Sequence, residues 1–139
     1  MSGVRIVGLA PESVSLWWPK VKPYVEKAAV KGPGFLDLEQ LREGCEKGFY
    51  QLWLGIRDPD VIACCITQIV VEPYRRVLEI IAIGGREMKD WIHYENYIAD
   101  RARDEMGAEA SRVFCRPGIK HIIEPRGYRI KGYIMERPL

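Results

Sequence analysis

Hydrophobic and polar residues alternate along this chain with a period that changes several times between strand-like and helix-like spacing. Period-two segments bounded by Gly, Pro or Asp turns predict six β-strands. They cover residues 4–9, 50–57, 61–71, 77–83, 112–115 and 128–135. Because the segment 77–83 is apolar at every position except Glu79, we expect it to be a central strand covered on both faces.

Apolar residues at helical spacing predict four helices between these strands. They cover residues 14–29, 37–48, 88–106 and 119–124. Pro19 and Pro23 fall inside the first helix and predict a kink or a break, and the Gly-Pro-Gly tripeptide at 32–34 ends it. Asp37 and Gln40 have the spacing of a capping box at the start of the second helix.

The order of elements predicts an α/β fold in one domain, residues 1–139. The strand 77–83, a glycine turn, the helix 88–106 and the strand 112–115 form a β-α-β crossover, so these two strands are expected to be parallel neighbours. The earlier hairpins are expected to be antiparallel. The result is a mixed, mostly antiparallel central sheet with helices on both faces.

Two segments carry a resemblance to a known family. Glu79-Ile80-Ile81-Ala82-Ile83 precedes a glycine turn and a long helix, and Glu124-Pro125-Arg126-Gly127-Tyr128 precedes the last predicted strand. Together with the element order, they resemble the GNAT superfamily of acyl-CoA-dependent N-acyltransferases over nearly the whole chain. The overall pattern also resembles small GNAT-like proteins encoded by bacteriophages and prophages.

The resemblance implies transfer of an acetyl group from acetyl-CoA to an amine of a small molecule or a protein. In that interpretation Glu79 is the general base, and Tyr128 or Tyr133 protonates the leaving thiolate. The implied cofactor contacts run along the strand and into the turn that follows it. They are the backbones of Ala82, Ile83 and Gly84 for the pantetheine and the amides of Gly85, Arg86 and Glu87 for the phosphates.

The sequence also departs from the family pattern. The glycines of the family's pyrophosphate motif are missing from residues 86–91, and Ile123 occupies the position of the family's tyrosine acid. Three alternatives therefore stay open. One is a GNAT-like scaffold without catalysis, such as a phage accessory or virion component, and another is a module that binds CoA as a sensor. In the third, Glu79 pairs with an arginine and only organises the sheet.

Charge, histidine spacing and cysteine content limit the partners, metal sites and cellular compartment that are expected. The 21 Lys and Arg residues nearly balance the 19 Asp and Glu residues, so we expect neither nucleic acid nor an anionic membrane as a partner. The two histidines lack the spacing of metal ligands, and no metal site is expected. The four cysteines and the absence of a secretion signal predict reduced thiols in a cytoplasmic protein, virion-associated if phage-encoded. A homodimer is the default expectation for self-association.

Overall fold

One five-stranded sheet organises the part of the chain that the computed structural model describes, which is residues 3–31, 37–115 and 117–139, without the side chains of 29–31. Its strands follow one another in sequence order. They are β1 (Arg5–Leu9), β2 (Gln51–Arg57), β3 (Asp60–Val71), β4 (Arg76–Gly85) and β5 (Ala108–Val113). The first four are antiparallel neighbours, and β4 and β5 are parallel, which confirms the predicted mixed sheet.

Helices cover both faces of this sheet. They are α1 (Val14–Lys31), α2 (Leu38–Glu46), α3 (Met88–Trp91), α4 (Glu95–Met106) and α5 (Lys120–Ile123). The α1/α2 face is built around buried residues such as Val21 and Leu41, and the α4 face around Ile98 and Ala102. None of the helices in the described ranges is long and apolar enough to cross a membrane.

The start of α2 and the course of α1 can be compared with the sequence predictions. The Asp37 carboxylate accepts hydrogen bonds from the amides of Glu39 and Gln40 at 2.9 and 3.2 Å, so Asp37 caps α2. The break predicted at Pro19 and Pro23 does not occur, because α1 continues through both prolines, which lie on its exposed face. The predicted stop at residues 32–34 lies outside the described residues.

The single helix predicted for residues 88–106 is wrong. A 3₁₀ turn, Ile92–Tyr94, separates α3 from α4. The interruption occurs at Trp91, whose backbone leaves the helical region at φ −130° and whose indole nitrogen donates to the Arg86 carbonyl at 2.7 Å. The indole is buried against Val4, Ile62 and Ala63, so packing of this side chain takes precedence over helical continuity.

Two strand predictions also need correction. The fifth strand was expected at residues 112–115, but β5 begins directly after Gly107 and ends at Val113, ahead of Cys115. Its first residues are small or polar and carry no strand-like alternation. The strand expected at residues 128–135 does not form, and residues 128–139 have no regular secondary structure. Its alternating apolar residues are exposed because neither face of the sheet covers them; examples are Ile130, Tyr133 and Met135.

Candidate functional site

A β-bulge interrupts the pairing of β4 with β3. Ala82 lies opposite Ile66 and Ile80 lies opposite Thr67, so Ile81 is the extra residue. As a result Ile81 and Ala82 both pack on the α1/α2 face, whereas Ile80 and Ile83 pack on the α4 face. The bulge therefore changes the direction of β4 in the middle of the strand.

Next to the bulge, β4 and β5 separate. Within the described residues their pairing ends at Ile80 and Val113. The following segment, from Ala82 to Gly84, keeps its pairing with β3 on one side only. On its other side the ladder with β5 has ended, so within the described residues this edge of the segment faces no strand and can pair with the amides of an extended ligand.

Glu79 lies on the α1/α2 face just before this divergence. Its side chain is 17% exposed, and one carboxylate oxygen accepts a hydrogen bond from the Gln68 amide nitrogen at 2.9 Å. The other oxygen is 3.9 Å from Nε of Arg112, the residue opposite Glu79 on β5. An arginine thus lies near Glu79, as expected if Glu79 only organises the sheet. The role of Glu79 as a general base stays a prediction.

Arg112 is shared between two carboxylates. Its Nη2 donates to Glu72 at 2.8 Å, while its Nε is buried and has no hydrogen-bond partner among the described residues. Hydrogen bonds from Arg112 and then from Arg75 lower the pKa of Glu72. Arg112 is therefore bound to Glu72 at its far end, while its Nε lies 3.9 Å from the Glu79 carboxylate.

Tyr128 lies on the opposite, α4 face of the sheet. Its hydroxyl donates a hydrogen bond to Glu95 and lies 2.6 Å from the hydroxyl of Ser111. Burial, and then the Glu95 carboxylate, raise the pKa of Tyr128, so the phenol keeps its proton at neutral pH. Tyr133, the other predicted acid, is 86% exposed.

The two predicted catalytic residues lie next to consecutive residues of β5. Tyr128 contacts Ser111, and Glu79 faces Arg112. Since consecutive strand residues point to opposite faces, Glu79 and Tyr128 approach the divergence of β4 and β5 from opposite sides. The structure therefore brings a carboxylate and a protonated phenol to the same part of the sheet.

The two glycines that end β4 are explained by close backbone contacts. A Cβ atom at Gly84 would lie 3.0 Å from the Tyr24 carbonyl of α1. Gly85 has a φ of +149°, and a Cβ there would lie 2.4 Å from the Ile62 carbonyl oxygen. The same oxygen accepts the Arg86 amide at 2.9 Å, so this amide, which was expected to face phosphate, is already used by β3.

Carboxylates surround the start of α3. Glu87 adopts a left-handed conformation at φ 59°, and its side chain binds Arg57 at the end of β2. Arg57 also donates to Asp90 at 2.8 Å, and the carboxylates of Asp90 and Glu87 raise its pKa. Arg86 faces Asp60 at 3.6 Å. The predicted phosphate-binding turn is thus internally neutralised.

Sequence reasoning missed Glu95 and Arg57. Glu95 is only 8% exposed, and it borders a cavity of about 30 Å³ on the α4 face, together with Cys65, Ile80 and Ile83. A signal was available for Glu95, because it lies at helical spacing between Trp91 and Ile98 on an otherwise apolar stripe. No local signal identified Arg57, since its partners are 30 and 33 residues away.

Metal-binding residues do not cluster in the described ranges, where no group of three or more His, Cys, Asp or Glu side chains is arranged to hold an ion. The gap between β4 and β5 is bordered on its far side by the residues that follow β5. Phe114 there is 38% exposed, while Arg116 lies outside the described residues. Trp91 packs with Val4, Ile62 and Ala63, and Ile83 of β4 contacts the same cluster.

Comparisons with known proteins identify the fold. No protein-family model and no curated protein sequence matches the chain, whereas solved structures match nearly all of it. A probable acetyltransferase is 20% identical with a TM-score of 0.69, over 97% of this chain and 96% of that chain. A ribosomal-protein-alanine N-acetyltransferase from Brucella melitensis biovar Abortus 2308 is 13% identical with a TM-score of 0.69, over 97% and 100%.

A third structure, a predicted acetyltransferase from Clostridium acetobutylicum solved with acetyl-CoA, is 10% identical with a TM-score of 0.66, over 97% of this chain and 96% of that chain. Likeness at such low identity concerns the backbone, since function is determined by the site residues. The five-stranded mixed sheet with its β4–β5 parallel pair is the GNAT fold of these acetyltransferases, as the sequence predicted.

Proposed function

We propose that this protein is an N-acyltransferase that moves an acetyl group from a thioester donor to an amine. The observation that carries the proposal is the end of β4–β5 pairing at Ile80 and Val113, directly beside the carboxylate of Glu79. An acyl group held in this gap is accessible to an amine from the α1/α2 face. The solved acetyltransferases of the same fold support the assignment.

Glu79 acts on the acceptor in this proposal. The amine has to lose a proton as it attacks, and a carboxylate within hydrogen-bond reach, directly or through one water, can take it. Gln68 fixes one oxygen of Glu79 and Arg112 lies beside the other. Both neighbours hold the carboxylate at the start of the gap, so Gln68 and Arg112 are positioning residues.

Tyr128 holds a proton on the opposite side of the gap. Its hydroxyl is engaged by Glu95 and Ser111, and its raised pKa keeps it protonated. For Tyr128 to serve as the predicted acid, its hydrogen bond to Glu95 has to be exchanged for one to the reacting groups. We therefore assign Glu95 to the orientation of Tyr128, and Tyr128 to proton donation.

One part of the predicted donor, acetyl-CoA, fits the site, and another part does not. The donor supplies an activated thioester when bound, and the one-sided backbone of Ala82–Gly84 suits the amides of its pantetheine arm. Its phosphates do not fit the turn that follows, because the Arg86 amide is bonded to Ile62 and the turn carries Glu87 and Asp90. Donor binding is therefore assigned to β4.

Acetyl transfer is tested by mass spectrometry of an amine panel incubated with the protein and an acetyl thioester. The panel holds a polyamine, a lysine peptide, an aminoglycoside and a peptide with N-terminal alanine, so that it includes both small-molecule and protein amines. A gain of one acetyl group that requires the protein supports the proposal. A thermal shift with the same donors measures binding separately, and saturation at a hundred times Kd adds about 2.7 kcal/mol of stability.

A non-catalytic scaffold is the second candidate, and one observation favours it. Ile130, Tyr133, Ile134 and Met135 all lie exposed near the C-terminus, and clustered exposed apolar residues are typical of binding surfaces. Absence of both acetyl transfer and a thermal shift at millimolar donor would reject the transferase and leave this candidate. Membership of a phage structure and a cytoplasmic location stay predictions.

A further inference from the structure

The length of β4 determines which residues lie beyond the pantetheine arm of a bound donor. An extended ligand that begins beside Glu79 and follows β4 to Gly85 advances about 3.3 Å per residue. Six residues carry it about 20 Å, to the turn that leads into α3. Whatever follows the arm in the donor molecule is therefore adjacent to Arg86, Glu87 and Asp90.

This turn offers little to a diphosphate. Anions bind at helix starts through free amides and net positive charge, but the Arg86 amide is bonded to the Ile62 carbonyl at 2.9 Å. Gly84 and Gly85, which would let a phosphate approach the backbone, are instead pressed against α1 and β3. The Arg86 amide and the two glycines are thus used by the protein's own packing.

Charge argues in the same direction. Arg57 is bound to both Glu87 and Asp90, and Arg86 faces Asp60. With Lys89, the turn and its neighbours contain as many cations as carboxylates. They are Arg57, Arg86, Lys89, Asp60, Glu87 and Asp90. A diphosphate placed here has to compete with two carboxylates for Arg57.

We infer that this protein recognises its donor through the pantetheine arm alone and that a diphosphate contributes nothing to binding. The inference rests on the proposed function, because it names the donor class of the same site. It predicts that a thioester of pantetheine or of 4′-phosphopantetheine is as good a donor as one of CoA. Bonds made by β4 then supply the donor affinity, while the turn before α3 serves only to join strand and helix.

The test is isothermal titration of the intact protein with pantetheine, 4′-phosphopantetheine and CoA. Dissociation constants that agree within about threefold support the inference. Binding of CoA more than about thirtyfold tighter than pantetheine overturns it and leaves the transferase proposal intact. If 4′-phosphopantetheine and CoA both bind more tightly than pantetheine, the protein recognises a single phosphate and the inference is again wrong. No binding of any of the three at millimolar concentration rejects the inference and the proposed donor site together.

A double substitution tests the cause. Glu87→Gln with Asp90→Asn removes the carboxylates around Arg57 and should tighten CoA binding by about fivefold to tenfold without changing pantetheine binding. The matched control is Asp100→Asn with Asp104→Asn, which removes the two carboxylates bound to Arg103 on the exposed side of α4 and should change neither affinity. An unchanged ratio of CoA to pantetheine affinity in the first variant contradicts the charge argument.

Circular dichroism establishes that both double variants are folded. If the first is not, Asp60→Asn provides an independent measurement, because it releases Arg86 from its carboxylate while leaving the start of α3 intact. A smaller gain in CoA affinity, about twofold to threefold, is expected from this single change. Absence of any gain for Asp60→Asn would likewise count against the inference.

Discussion

The hydroxyl of Tyr128 donates a hydrogen bond to the carboxylate of Glu95, which lies 33 residues earlier in the chain at the start of α4. The bond joins the segment after α5 to the α4 face of the sheet. Because Glu95 is almost fully buried, its carboxylate depends on this donor. The pair therefore holds the C-terminal segment in place as well as orienting the proposed acid.

Removing the phenol should destabilise the fold. Tyr128→Phe deprives the buried Glu95 carboxylate of a donor, and such a loss costs about 1–3 kcal/mol. Urea unfolding monitored by circular dichroism measures it. Tyr133→Phe is the matched control, since Tyr133 is exposed, and it should stay within about 0.5 kcal/mol of the unmodified protein. Equal stabilities for the two variants would show that the Tyr128–Glu95 bond contributes nothing.

Buried thiols predict a loss of stability at alkaline pH. Burial raises the pKa of Cys45 and of Cys64 from 9.0 to about 12. In this case the folded state retains protons that the unfolded state releases, so stability is unaffected below pH 9 and falls as the pH rises from about 9 toward 12. Each such thiol costs about 1.4 kcal/mol per pH unit within that window.

Urea midpoints at pH 7, 8.5 and 10 provide the measurement. Cys64→Ala removes one buried thiol, so its stability should decline less steeply above pH 9, even though the cavity lowers its stability at neutral pH. A midpoint that is the same at pH 7 and pH 10 in the unmodified protein would contradict this account of the core.

Glu79→Gln should separate catalysis from folding. The glutamine keeps an oxygen that can accept from Gln68, so stability should change little, whereas loss of a general base lowers kcat by about 10²- to 10⁴-fold. The control is Glu109→Gln, an exposed carboxylate on β5. Steady-state acetyl transfer, with an acceptor from the panel, compares the two. An unchanged kcat in Glu79→Gln would assign Glu79 to the sheet alone.

Gly85→Ala should be strongly destabilising. Its Cβ would approach the Ile62 carbonyl to 2.4 Å, in a backbone conformation with positive φ that other residues rarely adopt. Strain and steric overlap of this kind cost about 2 kcal/mol or more. Gly132→Ala is the control, because a Cβ there meets no atom within 4 Å. Comparable urea midpoints for the two variants would indicate that the turn can rearrange.

The parts of the fold with strong local patterns were predictable from sequence. Adjacent Cys64 and Cys65 pack on opposite faces, as strand alternation requires, and Asp37 caps α2. The break at Trp91 was not predictable, because it depends on where the indole packs across the sheet. The failed strand at residues 128–135 shows the converse. Its alternation is present, but a strand also needs a partner edge, which a local pattern does not specify.

The candidate site was predictable only in part. Glu79 and Tyr128 were selected from the family resemblance, and both lie at the β4–β5 divergence. Arg57 and Arg112 could not be assigned in advance, since their partners come from distant parts of the chain. The two glycines at the end of β4 were interpreted as cofactor contacts, Gly84 with the pantetheine and Gly85 with phosphate. In the structure, tight packing of the protein's own backbone accounts for them, and this explanation required knowledge of α1 and β3.

The bulge at Ile81 has a consequence for comparing this chain with distant sequences. Glu79 and Gly84 are five positions apart, an odd number, yet both belong to the α1/α2 side because the extra residue restores their parity. In a relative with the same spacing but no bulge, a carboxylate at the place of Glu79 would project toward α4, whereas a relative that lacks both the bulge and one residue would keep it on the α1/α2 side. Sequence alignments of this strand therefore have to compare the spacing and the bulge together, since a one-residue gap leaves the carboxylate on the same side of the sheet only when it removes the bulge.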